Sequence, residues 1–205
     1  MKKLAKDPIN LVVAGVGGQG NVMVSLVMGN TLVHDGYFVT IGETYGSSQR
    51  GGSVMSHLKV SAEKQYSPLI PEGQADIVLG MEPVETLRVL KSFGNLNVVT
   101  VVNPRPIHPV DFTGSGSGYP NLEELLEQVK SMSAKTYIVH ATEEAQKMGN
   151  AMLANMILIG ALVQTGLVTI SQEAIEKTIR DMFPKAIKEN IEALNKGKKL
   201  AGVPQ

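Results

Sequence analysis

The run Ile9-Asn10-Leu11-Val12-Val13-Ala14-Gly15-Val16-Gly17-Gly18-Gln19-Gly20-Asn21-Val22-Met23-Val24 changes character within one short turn. Ile9–Gly15 is apolar and valine-rich with little polar alternation, the pattern of a strand buried on both faces. It ends in glycines. Asn21–His34 then carries Val22, Met23, Val24, Leu26, Val27, Met28, Leu32 and Val33, which leave a helix with little polar face. Such a helix is expected to be covered on most sides, by its own domain or by a partner. Between the two, Gly15-Val16-Gly17-Gly18-Gln19-Gly20 satisfies G-x-G-x-x-G. Glycines there allow a tight turn and a close backbone approach, and the helix start offers unpaired N–H groups with partial positive charge.

Outward from that turn, strand-like and helix-like segments alternate. Tyr37–Glu43, Val54–Val60, Ala75–Met81, Leu96–Asn103 and Lys135–His140 read as further strands. Pro83 suits the first turn of a helix over Val84–Phe93, and Asn121 is placed to cap Leu122–Met132, with Glu124 as its reciprocal partner. From Thr142 onward the chain is helical in character: Glu143–Met148, Ala151–Thr165, Gln172–Phe183 and Pro184–Leu200. The pattern predicts an α/β fold, a Rossmann-like, mostly parallel sheet with flanking helices and a helical C-terminal third. One domain over 1–205 is expected, with a sheet-containing body to about 141 and a helical part from about 142. Gly114-Ser115-Gly116-Ser117-Gly118 reads as a surface loop inside it.

Composition removes several classes of function. The chain balances 19 basic against 19 acidic residues, so no net field points to nucleic acid or to an anionic membrane. It has no cysteine, which excludes disulfides, a cysteine nucleophile and any cysteine-held zinc or iron–sulfur cluster on this chain. Neither the opening apolar run nor Ala151–Val163, interrupted by Asn155 and Gly160, is long enough to span a bilayer. A soluble cytoplasmic protein is expected.

The glycine turn on its own admits a nicotinamide or flavin dinucleotide, with Glu43 near the place of a ribose-binding carboxylate. It equally admits a turn used only for helix–sheet packing, or another phosphate. A second loop, Gly46-Ser47-Ser48-Gln49-Arg50-Gly51-Gly52-Ser53, combines small residues, hydroxyls and one guanidinium. On composition alone it is a flexible surface loop. Two such loops at successive strand ends, however, would meet at the sheet edge where α/β folds bind ligands, and together they suggest a phosphate-bearing ligand. Other candidates are weaker. His34, His57, His108 and His140 lack metal-ligand spacing, and Ser53 lacks a nucleophile context. Glu123, Glu124 and Glu127 fit a solvated helix face. Lys196, Lys198 and Lys199 suit a last helical turn, with phosphate binding the minor alternative, and Arg105 is held between Pro104 and Pro106.

Gly15 to Asn21, followed by Ser48-Gln49-Arg50-Gly51-Gly52-Ser53-Val54, resembles the gamma-type domain of the 2-oxoacid:ferredoxin oxidoreductases. Tyr66-Ser67-Pro68-Leu69-Ile70-Pro71, Ala75-Asp76, Glu82-Pro83 and Glu85 look like the small beta subunit of the indolepyruvate ferredoxin oxidoreductase branch. The resemblance continues through Asn103-Pro104, Gly149-Asn150, Asn155, Phe183-Pro184-Lys185 and Asn190. It implies oxidative decarboxylation of a 2-oxoacid, an arylpyruvate in this branch, to an acyl-CoA with electrons passed to ferredoxin. Thiamine diphosphate, magnesium and [4Fe–4S] clusters would sit on a partner alpha subunit, and this chain would be inactive alone. The implied ligand-facing residues are Gly15, Gly17, Gly18, Gln19 and Gly20 with Gln49, Arg50, Gly51, Gly52 and Ser53. They would contact coenzyme A or order the subunit interface; both readings stand. The alternatives are a self-sufficient NAD(P) oxidoreductase and a ligand-free scaffold. Without its partner, the apolar Asn21–His34 helix is expected to drive self-association.

Overall fold

β1 (Ile9–Val16) is buried along its whole length, with Leu11 and Val13 in one core and Val12 and Ala14 in the other. A strand that buries both faces needs layers above and below it, and the chain supplies them. In this computed structural model, residues 4–45, 52–107 and 119–202 are described.

β1 pairs in parallel with β4 (Ile77–Gly80), which is followed outward by β5 (Val99–Val102) and β6 (Lys135–Ile138), also parallel. On its other side β1 pairs antiparallel with β3 (Ser53–Ser61), and β3 pairs antiparallel with β2 (Phe38–Tyr45). The order is β2-β3-β1-β4-β5-β6. Five strands therefore run one way, as the sequence predicts, and β3 alone is reversed. The reason lies in chain length. Only positions 46–52 separate β2 from β3, too few for the crossover that a parallel pair requires.

α1 (Asn21–His34) covers one face of the sheet together with α4 (Ala141–Lys147), α5 (Ala154–Gln164), α6 (Gln172–Met182) and α7 (Ile187–Leu200). α2 (Pro83–Phe93) and α3 (Leu122–Ser131) cover the other. α5 is buried on nearly every side, because it lies between the sheet and α7; Ile157, Leu158 and Leu162 are wholly enclosed. Each such side chain contributes about 1.5–3 kcal/mol by leaving water. A 3-10 turn, Ala151–Leu153, precedes α5 where the sequence reads as uninterrupted helix. The helix starts follow local chemistry. The Asn121 side chain accepts from the amides of Glu123 and Glu124, and Ser171 caps α6 while bonding to Asp35 at the end of α1. Among the described residues no helix is long and apolar enough to cross a membrane.

β1 leads into a helix on one face and its neighbour β4 into a helix on the other. A crevice opens where such connections diverge, at the C-terminal ends of the strands.

Candidate functional site

The turn 17–20 stands at that crevice. Gly18 and Gly20 have φ of 101° and 92°, a left-handed backbone that a side chain resists. At Gly20 a Cβ would also lie 2.4 Å from the Asn155 Nδ2. Asn155 comes from the start of α5 and donates to the Gln19 carbonyl at 3.1 Å. The N-cap of α1 is Gly20, which brings no side chain to its first-turn amides.

Gln19 fastens the turn to both central strands. Its Oε1 accepts from the Val16 amide at 2.7 Å, and its Nε2 donates to the Met81 carbonyl at 3.0 Å. Asn21 donates to the Val54 carbonyl at 2.8 Å, and the Gly17 amide donates to the Gly52 carbonyl at the same distance. The second glycine loop thus meets the first at its described end, as a hairpin folded beside β1. Gly15 lies opposite Val54, and Ser53 opposite Val16, in the β1–β3 ladder. Gln49, Arg50 and Gly51 lie outside the described residues, as do His108 and the 114–118 tract.

A cleft of about 570 Å³ extends from the turn across the ends of β4 and β5 to the 3-10 turn before α5. Met81, Asn103, Thr142, Met152, Asn155 and Leu158 contribute to its wall. Arg105 is the one charged side chain among its described residues, exposed and free of any ion pair there. Asn103 is buried and donates to Thr142 Oγ1 at 2.8 Å, which locks the end of β5 to the start of α4. Behind this wall, Glu82 and Glu85 are fully enclosed. Burial holds the Glu82 carboxyl above the usual carboxylate range, although Tyr119 and two backbone amides donate to it. Burial and the contact with Glu82 push the Tyr119 hydroxyl well above the ordinary phenol value.

The dinucleotide reading meets two obstacles here. β3 is inserted between β1 and β2, which moves Glu43 a further ~4.8 Å from the turn. Glu43 also accepts from Ser25 and Ser56 hydroxyls, at 3.0 and 3.4 Å. In addition, the Gln19 side chain spans the gap between Val16 and Met81 and so fills space beside the turn.

Most of the weaker candidates prove structural. His34 lies 3.6 Å from Asp181, and His140 is 3.1 Å from Glu143 on the surface. His57 is buried edge-on to Phe93, with its imidazole held below the usual range by burial and by Lys59. Lys196 pairs with Glu144 and Lys198 bonds to Gln172, exposed contacts that join α7 to α4 and to α6. Glu123 and Glu124 sit in the first turn of α3, and Glu127 pairs with Lys130. Among the described residues no group of three potential ligands could hold a metal. Arg105 alone joins the cleft. Asn155 and Asn103, singled out in the sequence only through the family pattern, prove to be site-building residues; Met81, Thr142 and Met152 carry no local signal.

Fold and cleft together define a glycine-turn α/β protein with a crevice at the C-terminal ends of its parallel strands. The pattern of the "Pyruvate ferredoxin/flavodoxin oxidoreductase" family matches residues 10–200, and the chain belongs to that family, as a gamma-type 2-oxoacid:ferredoxin oxidoreductase subunit. It is 35% identical to indolepyruvate oxidoreductase subunit IorB of Archaeoglobus fulgidus over 92% of this chain and 93% of that one. It is 38% identical to the same subunit of Thermococcus kodakarensis, over 94% and 95%. Among solved structures it resembles pyruvate oxidoreductase subunit PORC of Thermotoga maritima, with a TM-score of 0.69 and 22% identity over 95% of this chain and 97% of that one. It also resembles 2-oxoglutarate:ferredoxin oxidoreductase from Magnetococcus marinus, with 2-oxoglutarate, coenzyme A and succinyl-CoA bound. There the TM-score is 0.72 at 21% identity, over 98% of this chain and 34% of that one.

Proposed function

We propose that the chain, acting as one domain, is the small subunit of an indolepyruvate-class (arylpyruvate) ferredoxin oxidoreductase in the cytoplasm. In this reading its cleft receives the phosphate-bearing end of coenzyme A. The observation that carries it is convergence. The turn 17–20 that leads into α1 and Arg105 line one crevice at the strand ends. Backbone amides and a guanidinium are the donors a pyrophosphate or 3′-phosphate takes. The loop bearing Gln49, Arg50 and Gly51 is proposed to add to the same edge, since Gly52 and Ser53 are tied to the turn and to β1. The Magnetococcus marinus relative holds coenzyme A, which supports the ligand class.

The partner subunit supplies what this chain lacks. With no cysteine here, [4Fe–4S] clusters fall to the alpha subunit, together with thiamine diphosphate and magnesium. Those groups supply decarboxylation and electron transfer to ferredoxin; this chain binds and orients the acyl acceptor and shapes the interface.

The test is co-expression with an alpha subunit and anaerobic assay of CoA-dependent ferredoxin reduction by indolepyruvate. Activity should require both chains. Arg105→Ala and Arg50→Ala should each raise the KM for CoA about tenfold or more, the loss expected of a charge-assisted hydrogen bond. An intact, active complex whose KM ignores both substitutions makes the chain a scaffold. Tight NAD(H) binding by the isolated chain would restore the dinucleotide alternative.

A further inference from the structure

Glu82 stands one residue beyond Met81 in the cleft wall, and the cleft itself gives it no task. It begins α2 as the N-cap, with Oε2 accepting from the Glu85 amide at 2.9 Å. Capping alone does not call for glutamate, because Ser, Thr, Asp and Asn are the residues suited to it. The longer side chain reaches elsewhere. Oε1 accepts from the Tyr119 hydroxyl, and the carboxylate also accepts from the Ile107 amide. The Tyr119 oxygen in turn accepts from the Val84 amide in the first turn of α2. One buried carboxylate therefore joins the start of α2, a tyrosine of the next segment and the residue two places after Arg105. Arg105 and Ile107 both line the cleft, and Pro104 and Pro106 stiffen the chain around them. Enclosing this carboxylate beside Glu85 is unfavourable in itself, and its hydrogen bonds offset part of that cost.

We propose that Glu82 is a positioning residue: through the Ile107 amide it fixes segment 104–107 so that Arg105 is presented to the cleft, with Tyr119 steadying the carboxylate. The kinetic consequence rests on the cleft taking coenzyme A; the clamp itself does not.

The experiment uses the co-expressed complex with Glu82→Asp, Tyr119→Phe and Arg105→Ala, singly and in pairs. Glu82→Asp keeps a good cap and shortens the reach, and Tyr119→Phe removes only a hydroxyl. Amide hydrogen exchange is read over residues 104–107, where the two prolines leave only Arg105 and Ile107 to report. Both clamp variants should exchange there roughly tenfold faster, while the α2 amides of Glu82→Asp stay protected. Each should raise the KM for CoA about fivefold with kcat retained, and neither should add to Arg105→Ala. Unchanged exchange in both variants overturns the clamp. Faster exchange with KM effects that add in full to Arg105→Ala, or with no KM effect where Arg105→Ala has one, overturns the positioning role. Faster exchange with a KM indifferent to Arg105→Ala supports the clamp and sinks the coenzyme A reading instead.

Discussion

The Gln19 amide makes two bonds that no other residue of the turn replaces, one to the Val16 amide and one to the Met81 carbonyl. Gln19→Ala leaves the Val16 amide without its partner at a half-buried contact, while the Met81 carbonyl keeps only a longer bond from Asn103 at 3.4 Å. The expected loss is about 1–3 kcal/mol, visible as a lower urea midpoint at unchanged slope. Protonation supplies a second prediction at this scale. The His57 imidazole is 2% exposed, and burial followed by the Lys59 charge holds its pKa below 6.5. A depressed imidazole contributes stability above the unfolded value and loses it as pH falls through the folded one. Glu82 moves the opposite way. Burial raises its carboxyl above 4.5, so its stability contribution is complete below that value and is lost as pH rises through the folded one. Lowering the pH from about 7.5 to about 5 should therefore shift Tm against the wild type relative to His57→Gln. The same change should shift Tm in favour of the wild type relative to Glu82→Gln. A difference in Tm that stays flat with pH for either variant refutes the corresponding assignment.

At the scale of elements, α5 and α7 cross with almost no side chain between them. A Cβ on Gly160 would lie 2.1 Å from the Leu194 carbonyl oxygen, and one on Gly197 would lie 1.9 Å from that of Ile157. These contacts are with backbone, which cannot swing away. Gly160→Ala or Gly197→Ala should therefore cost about 3 kcal/mol or more, above the gain of about 1 kcal/mol from helix propensity. The measurement is thermal or urea unfolding; a variant as stable as the wild type would mean that the helices meet otherwise. In the sequence Gly160 is merely an interruption in an apolar run, because its role depends on a helix that begins nearly thirty positions later. The starts of α1, α2 and α3 were legible, since Pro83 and Asn121 act within a turn of themselves. The glycine turn was legible for the same reason. The reversal of β3 could have been read from the short span 46–52, but strand-like periodicity carries no direction. Asn155 reaches the turn across 136 positions, and nothing local marks such a contact.

At the scale of the whole molecule, this chain covers one side of α1 and leaves apolar residues exposed on the other. Val24, Val27, Met28 and Leu32 are enclosed, while Val22, Met23 and Leu26 remain 37–41% exposed. Met152, at the rim of the cleft, is 80% exposed and shares a wall with Met23. Residues 22 and 26 are one helical turn apart, so they form a stripe rather than scattered points. Exposed methionines beside it give a surface that adapts to a partner. Isolated, the chain should self-associate at high concentration, as light scattering behind a sizing column would show. Leu26→Lys should weaken that association with Tm nearly unchanged, because an exposed substitution shifts stability by only about 0.5 kcal/mol. The same change should weaken capture by the co-expressed alpha subunit, if the stripe serves both contacts. Self-association that persists in Leu26→Lys would place the driving surface elsewhere, and loss of alpha capture without loss of self-association would separate the two faces.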